Sequence, residues 1–312
     1  MLVEFLQHLS LPMPKWAKQM GYGRETVALE ARHRRCAAHW APHLEACREL
    51  IIGAAEACPK TGKAVVLGSG PLLDVPLEEL AARFAHVDLV DLAHPKSAIK
   101  RAASHPNVQL VTADISGIAR AVYHQSITAE PVSDRPAAPI GLRDSSCKVI
   151  ADAVTDAVRQ GDRLGALPDP GPNPEIIVGA DLVVSANVLS QLPLLLLGWL
   201  ESHRPFADDA DALAFARGVV DHHLAWLQNH PGQVVLISEV MRLIADGETP
   251  LEKIDPLFGT QILAEGTEWW WEMAPKGELR RDADVRVRML GIPDLANAPQ
   301  SRICRNTTLA AP

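Results

Sequence analysis

The spacing of apolar residues changes along the chain, and each change indicates a new element. Up to residue 62 the spacing is helical, with a run that opens at Arg24 and reaches about Ala57. The run is interrupted at Pro42, which has no amide donor and disfavours helix in the residue before it. The pattern therefore predicts two helices, or one kinked helix, within residues 1–62.

After residue 62, short apolar runs alternate with helical stretches. Strands are predicted at 63–68, 86–91, 108–112, 181–187 and 233–239, and helices at 72–84, 95–104, 188–201 and 208–229. This alternation is typical of a parallel sheet with crossover helices. Two last strand candidates, 268–273 and 285–289, are separated by Pro275-Lys276-Gly277 and predict an antiparallel pair at the sheet edge.

One segment interrupts the alternation and sets the predicted domain organisation. Residues 116–179 contain a polar stretch, a predicted helix at 149–159 and four closely spaced prolines that favour an extended, exposed chain. We expect an N-terminal helical cap at 1–62, a sheet domain at 63–300 that carries this insertion, and a tail at 301–312.

Composition and charge limit the partners. The 312 residues are 47% apolar and carry a formal charge of −8, the wrong sign for neutralising phosphates, so nucleic acid is not an expected partner. The longest apolar run, Leu192 to Leu200, is about half of a membrane span, and no membrane partner is expected. Five scattered cysteines without a Cys-x-x-Cys pair favour reduced thiols and a cytoplasmic location. The oligomeric state stays open.

Three predicted strands end in residues suited to binding a nucleoside. The first runs into Gly68-Ser69-Gly70, a turn that lets a ligand approach the backbone before a helix N-terminus. Asp91 ends the second strand, 21 residues after Gly70, the spacing at which a carboxylate accepts from a ribose diol. Asp114 follows the third strand, where it can accept from an adenine amino group while Ile115 covers the ring. Together these ends favour nucleoside binding.

Each of these features also has a purely structural explanation. A Gly-x-Gly turn forms without a ligand, and either aspartate can cap the helix that follows it. A nicotinamide dehydrogenase is disfavoured, because its Gly-x-Gly-x-x-Gly motif requires glycine where this chain has Leu73.

The acid–base candidates are fewer and less specific. Glu239 follows the fifth predicted strand, and His222 and His223 lie on the helix before it. Adjacent histidines on a surface helix are more often solvated than catalytic, and Glu239 can serve as a turn cap.

Three further sets of side chains have two interpretations each. One set has a spacing that can bind zinc, but without a second ligand cluster helix packing is favoured and no metal is predicted. The second is a basic cluster for an anionic substrate or a solvated helix face. The third set alternates across a strand, which fits either core packing or the wall of an acceptor pocket. These sets are His39, His43 and Cys47; Arg32, Arg34 and Arg35; and Trp269, Trp270 and Trp271.

Four motifs, taken in order, resemble those of the class I S-adenosylmethionine-dependent methyltransferases. They are Val65-Val-Leu-Gly-Ser-Gly70, Val87-Asp-Leu-Val-Asp91, Leu110-Val-Thr-Ala-Asp114 and Leu182-Val-Val-Ser-Ala-Asn187-Val-Leu. The resemblance covers about residues 63–290. It implies an α/β fold, a doubly wound, mostly parallel seven-stranded Rossmann-like sheet whose last strand is antiparallel, here with an N-terminal helical cap.

The resemblance also implies roles for individual residues. The methionine part of S-adenosylmethionine would border Gly68, Ser69 and Gly70, the ribose Asp91 with its neighbour Leu92, and the adenine Asp114 with Ile115. Asn187 would lie near the transferred methyl group. The chain departs from the family at two positions, since Val66 stands where an acidic residue is common and Leu72 where a third glycine is usual. We expect Asp74 to compete for the cofactor's amino group instead.

The sequence thus predicts an enzyme that transfers a methyl group from S-adenosylmethionine to an unidentified small molecule. Asn187 lacks the Asn-Pro-Pro-Tyr context of amino-group methyltransferases that act on adenine or glutamine. Two alternatives stay open. The Ser-Gly-Pro-Leu loop is similar to that of nicotianamine synthases, which transfer an aminocarboxypropyl group from the same cofactor, and the absence of a base motif allows a non-catalytic nucleoside-binding protein.

Overall fold

The alternation predicted from the sequence is present in the computed structural model, which describes residues 11–128 and 174–300. Within these ranges the strands are β1 (Lys63–Leu67), β2 (His86–Asp91), β3 (Val108–Thr112), β4 (Leu182–Ala186), β5 (Gln233–Asp246), β6 (Thr249–Ile254), β7 (Thr267–Ala274) and β8 (Asp284–Ile292). The helices are α1 (Lys15–Met20), α2 (Tyr22–Ala57), α3 (Leu77–Arg83), α4 (Lys96–Ala102), α5 (Ala119–Thr128), α6 (Leu194–His203) and α7 (Asp209–Gln228), with short 3₁₀ helices at Pro174–Ile177 and Leu189–Gln191.

The strands form one sheet in the order β3-β2-β1-β4-β5-β8-β7. Strands β1 to β5 pair in parallel along this order, and β8 pairs antiparallel with both β5 and β7. The order reverses between β1 and β4, which places a crevice beyond their carboxyl ends. This is the doubly wound, seven-stranded sheet with an antiparallel last strand that the resemblance implies, so the chain has the class I methyltransferase fold.

Both faces of the sheet are covered by helices, because the central strands β1 and β4 are buried at nearly every position. Val65 and Val66 are fully buried and point to opposite faces. Val66 packs in the core that the sheet shares with α2, α3 and α4, whereas Val65 packs in the core shared with α7. The rigid centre of the sheet therefore carries the loops at its carboxyl ends.

Strand β5 is longer than predicted. The prediction ended it at Glu239, but its pairing with β8 continues to Ala245, which lies opposite Asp284. A bulge lies between Glu239 and Met241. The added half of β5 also pairs with β6, a strand that the sequence reading missed. A charged residue inside an apolar run looked like the end of a strand, whereas the ladder simply passes through it.

The N-terminal residues form a continuous 36-residue helix, α2, preceded by the short α1. Its non-helical residue is Cys36, with φ −109° and ψ 19°, so the predicted break just before Pro42 is displaced by six residues. Cys47, Ile51 and Ala54 in its second half are buried in the same core as β1 and β4. The division at residue 62 stays a prediction, but this half of α2 packs inside the sheet domain.

Two other predictions differ from the structure in extent. The helix predicted from residue 72 begins at Leu77, because Leu72 has φ 60° and Pro76 directly precedes the helix. Part of the predicted insertion 116–179 is regular, since α5 and a 3₁₀ helix occupy its two described ends. The helix predicted at 149–159 and the tail at 301–312 lie outside the described residues.

Candidate cofactor crevice and active site

The glycine turn after β1 lies at the strand-order reversal. Gly68 has φ 76°, and a Cβ there would lie 2.8 Å from the Cβ of Val188, so packing against the end of β4 requires glycine. Gly70 has φ 43°, but its nearest neighbour to an added Cβ would be 3.9 Å away. The turn therefore packs tightly at Gly68, whereas an added Cβ at Gly70 would make only ordinary van der Waals contacts. Ser69 between them is buried, and its hydroxyl oxygen has no hydrogen-bond partner.

Asp91, at the tip of β2, is held by backbone amides. The Gly70 N–H donates to Oδ2 at 2.9 Å and the Ala93 N–H donates to Oδ1 at 3.2 Å. Burial raises the pKa of this carboxyl, although these amides and the nearby His94 oppose the shift. Each oxygen retains acceptor capacity beyond its one amide. Leu92 beside it is buried, and the arrangement fits the acceptance of two hydroxyl donors.

Asp114 caps helix α5. Its Oδ1 accepts from the Ser116 N–H at 3.0 Å and the Ser116 hydroxyl at 2.6 Å, and its Oδ2 accepts from the Ala119 N–H at 2.8 Å. The structural alternative is therefore realised here, and the adenine contact stays a prediction. Ile115 next to it is half-buried against the cores beside α5 and α7.

Asn187 and Asp74, assigned from separate motifs, are hydrogen-bonded to each other. Asn187 follows β4 with φ 54°, its backbone N–H donates to the Ile237 carbonyl at 3.0 Å, and its Nδ2 donates to Asp74 Oδ2 at 2.6 Å. Its Oδ1 is buried without a partner. Burial raises the pKa of Asp74, while the Asn187 hydrogen bond and the charge of Arg48 oppose the shift. No sequence motif predicted this pairing across 113 positions.

Aromatic and sulfur groups lie behind Asn187. Its Nδ2 is 3.8 Å from Cys47 Sγ, which is 3.7 Å from His43 Nε2. The Trp269 indole donates to His43 Nδ1 at 3.1 Å, and Trp271 stacks on the imidazole with ring centres 4.2 Å apart. Burial lowers the pKa of His43 to about 3, so the ring is neutral. Trp269 and Trp271 therefore point to one face, against α2, as the strand alternation predicted.

The possible zinc set does not converge. His39 pairs with Glu272 at 2.9 Å, on the exposed side of α2, while His43 and Cys47 are buried. Across residues 11–128 and 174–300, no group of three histidine, cysteine or carboxylate side chains is arranged to hold a metal ion.

In the arginine cluster, Arg35 forms a two-nitrogen contact with Glu278 at 2.6 and 3.0 Å, which ties α2 to the β7–β8 loop.

The acid–base candidates from the sequence are placed differently from their prediction. Glu239 lies inside β5 rather than after it, and its two oxygens accept from Arg242 Nε at 2.8 Å and Nη2 at 2.9 Å. The Ser190 hydroxyl lies 3.4 Å from the same carboxylate. The carboxylate is thus paired with a guanidinium inside β5, and an acid–base role for Glu239 stays a prediction.

The two histidines on α7 also differ from the prediction. His223 is buried rather than on the surface, and its Nε2 lies 3.2 Å from the Ser185 hydroxyl of β4. Burial and the neighbouring His222 lower the pKa of His223 to about 3. This histidine anchors α7 to the sheet.

A cavity of about 450 Å³ lies at the other end of the sheet, near the amino ends of β1 and β2. It is lined by Ile52, Ala55, Glu56, Thr61, Glu79, Leu80, Ala82 and Arg83. None of the candidate site residues contributes to it, so it is separate from the crevice. Among the described helices, none combines the length and apolar character needed to cross a bilayer.

Comparison with known proteins gives distant structural likeness only. No family model and no curated protein matches the chain. Three of the solved structures that are similar to it are described below. The N-methyltransferase NodS from Bradyrhizobium japonicum WM9, in complex with S-adenosyl-L-homocysteine, is 13% identical, with 80% of this chain and 87% of that chain covered and a TM-score of 0.34.

The other two are a precorrin 8W decarboxylase from Methanobacterium thermoautotrophicum and the 23S rRNA methyltransferase ErmE. The first is 15% identical, covering 78% of this chain and 89% of that one, with a TM-score of 0.30. The second is 14% identical, covering 81% and 71%, with a TM-score of 0.26. The fold assignment rests on the strand order and directions of this chain.

Proposed function

We propose that the chain binds S-adenosylmethionine in the crevice beyond β1, β2 and β4 and transfers its methyl group to a small molecule. The observation that carries the proposal is the Asp91 carboxylate, fixed at the tip of β2 by the Gly70 amide of the glycine turn. A ribose diol supplies the two donors that this carboxylate can still accept.

The residues around the turn fit the rest of the cofactor. Ser69 Oγ and Asn187 Oδ1 are buried polar atoms without partners, at the ends of β1 and β4, and such atoms are costly unless a ligand pairs with them. Asp74 supplies a negative charge for the cofactor's amino group, with Asp114 and Ile115 at the adenine end. When bound, the cofactor supplies an electrophilic methyl group on a sulfonium.

The role of the protein in such a displacement is alignment and proton control. Asn187 is well suited to alignment, because its hydrogen bond to Asp74 fixes the amide and leaves Oδ1 to accept from a ligand N–H or O–H. We assign no proton transfer to Glu239 in this scheme, because its carboxylate is paired with Arg242. We infer a small-molecule acceptor, since the formal charge of −8 opposes nucleic-acid binding.

Calorimetric titration with S-adenosylmethionine and S-adenosylhomocysteine tests the binding step. We expect both ligands to bind, and lack of binding of both at millimolar concentration would refute the proposal. Incubation with methyl-labelled cofactor and a metabolite extract then tests turnover.

The products of that incubation separate the alternatives. Methyl transfer releases S-adenosylhomocysteine and labels the acceptor. Aminocarboxypropyl transfer instead releases methylthioadenosine, which retains the label, and binding without either product indicates a non-catalytic protein.

A further inference from the structure

The contacts of helix α1 place it beside the carboxyl ends of β3 and β4, in one apolar cluster with Ile115 and Val188. It packs on α5, which follows β3, and on α6, which follows β4, so it joins the two sides of the strand-order reversal. Met20 of α1 is buried in one apolar cluster with Ile118 and Leu196, and Trp16 packs against the same cluster. The Tyr123 hydroxyl is also hydrogen-bonded to Gln19, at the exposed side of α1. Helix α1 is therefore a roof docked on the sheet domain.

The turn that follows α1 leads to Tyr22. Gly21, with φ 101°, closes α1 and opens α2 in a left-handed conformation that favours glycine. The chain turns sharply there, and Tyr22 is the first residue of α2. Its ring meets Trp16 edge to face, with centres 6.3 Å apart. Tyr22 thus sits at the junction of the roof and the long helix.

The surroundings of Tyr22 belong to the nucleoside end of the crevice. Tyr22 packs against the same apolar cluster as Ile115, which follows β3, and Val188, which follows β4. Burial and the negative charges of Asp114 and Asp91 raise the pKa of its phenol well above its ordinary value. The hydroxyl therefore stays protonated and can donate a hydrogen bond to a ligand.

We propose that Tyr22 is a binding residue for the nucleoside part of the cofactor and that α1 covers that part of the crevice. A nucleoside offers groups that suit Tyr22. Its ring nitrogens and ribose oxygens accept a phenolic hydrogen, and its apolar base packs on an aromatic edge. The inference rests on the proposed function, because it takes the ligand to be S-adenosylmethionine.

The chain contains two tyrosines, which provide a matched pair of variants. Tyr22→Phe removes the phenolic hydroxyl and keeps the ring. We expect the calorimetric affinity for S-adenosylhomocysteine to fall about five- to tenfold, the effect of losing one hydrogen bond to the ligand. Tyr123→Phe removes the hydroxyl that bonds Gln19 on the exposed side of α1, and we expect an affinity within twofold of the wild type.

The outcomes separate this inference from the proposed function. If the wild type binds neither cofactor form, the proposed function fails. If the wild type binds and Tyr22→Phe binds equally well, Tyr22 is not a ligand and the inference fails alone. If both variants lose affinity equally, the effect belongs to docking of α1, which also overturns a direct contact.

Hydrogen exchange of the wild type gives a second measurement that needs no variant. S-adenosylhomocysteine should slow amide exchange in residues 15–25, because a ligand under α1 and Tyr22 stabilises them in place. Unchanged exchange there, with slowing around Gly68 and Asp91, would place the ligand in the crevice without a roof and overturn the inference.

Discussion

The two ends of the crevice are built in different ways. At the nucleoside end, Asp91 and Asp114 are held by backbone amides that are mostly close in sequence, such as those of Ala93, Ser116 and Ala119. At the transfer end, Asn187 is held by the side chain of Asp74, 113 positions away. Local amides fix a carboxylate whatever the rest of the fold does, whereas the transfer end exists only once distant elements have packed together.

The nucleoside end should show the largest effect of a single substitution. Asp91→Ala removes both acceptors for a ribose diol, and we expect cofactor affinity to fall by about 3 kcal/mol, or roughly a hundredfold. Calorimetry measures the loss. Asp88→Ala, on the same strand, breaks an ion pair of 2.9 Å with Lys63 and should leave affinity unchanged. An unchanged affinity for Asp91→Ala would refute the ribose assignment.

Acid should destabilise the transfer end through His43, in addition to the packing of α7 through His223. The pKa of buried His43 is lowered to about 3 from an ordinary value of 6.5. As the pH falls below 6.5, the unfolded chain binds a proton that the folded chain does not, so stability is lost until about pH 3. At pH 4.5 the loss is roughly 2 to 3 kcal/mol.

Replacement of this histidine tests that expectation. His43→Gln should flatten the dependence of the unfolding free energy on pH, measured by urea titration at pH 7 and 4.5. The control is His39→Gln, one turn earlier on the exposed side of α2. Equal slopes for the wild type and His43→Gln would show that the imidazole is not held neutral.

The Asp74 carboxylate should lower the stability of the fold at pH 7 but increase the affinity for S-adenosylmethionine. Since burial raises its pKa, the unfolded chain releases this proton at lower pH than the folded chain, and stability falls as the pH rises above 3.8. Asp74→Asn should therefore unfold at higher temperature at pH 7, with the gain vanishing below pH 3.8. It should also bind S-adenosylmethionine about tenfold more weakly. A variant with unchanged affinity would remove Asp74 from the cofactor site.

Glu239 should give the smallest catalytic effect. Because Arg242 already engages its carboxylate, we expect Glu239→Gln to change turnover less than threefold once a substrate is in hand, while thermal unfolding shifts downward. Arg242→Gln, which breaks the same pair from the other side, should behave alike. A hundredfold fall in turnover with unchanged cofactor affinity for Glu239→Gln alone would restore its acid–base role.

The same contrast explains what could be predicted from the sequence. Strands β2 and β3 have the predicted bounds, because apolar runs with clear turn signals at both ends determine them. The seven-stranded order followed from the succession of motifs. The bulge after Glu239 and the pairing of β5 with β6 depend on contacts between strands, which periodicity along one segment does not contain.

The same distinction between local patterns and contacts across elements applies to the site. Asp91 could be placed from its distance to Gly70, and their hydrogen bond is present. Tyr22 carried no motif, and the spacing of His43 and the alternation of Trp269 did not predict the hydrogen bond between them, since these residues gain their roles from neighbours on another element.

The irregular residue in α2 has a mechanical consequence. The helix is about 50 Å long and carries Tyr22 at one end and Ile51 deep in the core toward the other. Cys36 divides it into two rods, the outer one attached to α1 and the inner one wedged beside the sheet. Because Ile51 lies beyond Cys36 from α1, a displacement of α1 together with the outer rod would leave the packing around Ile51 unchanged.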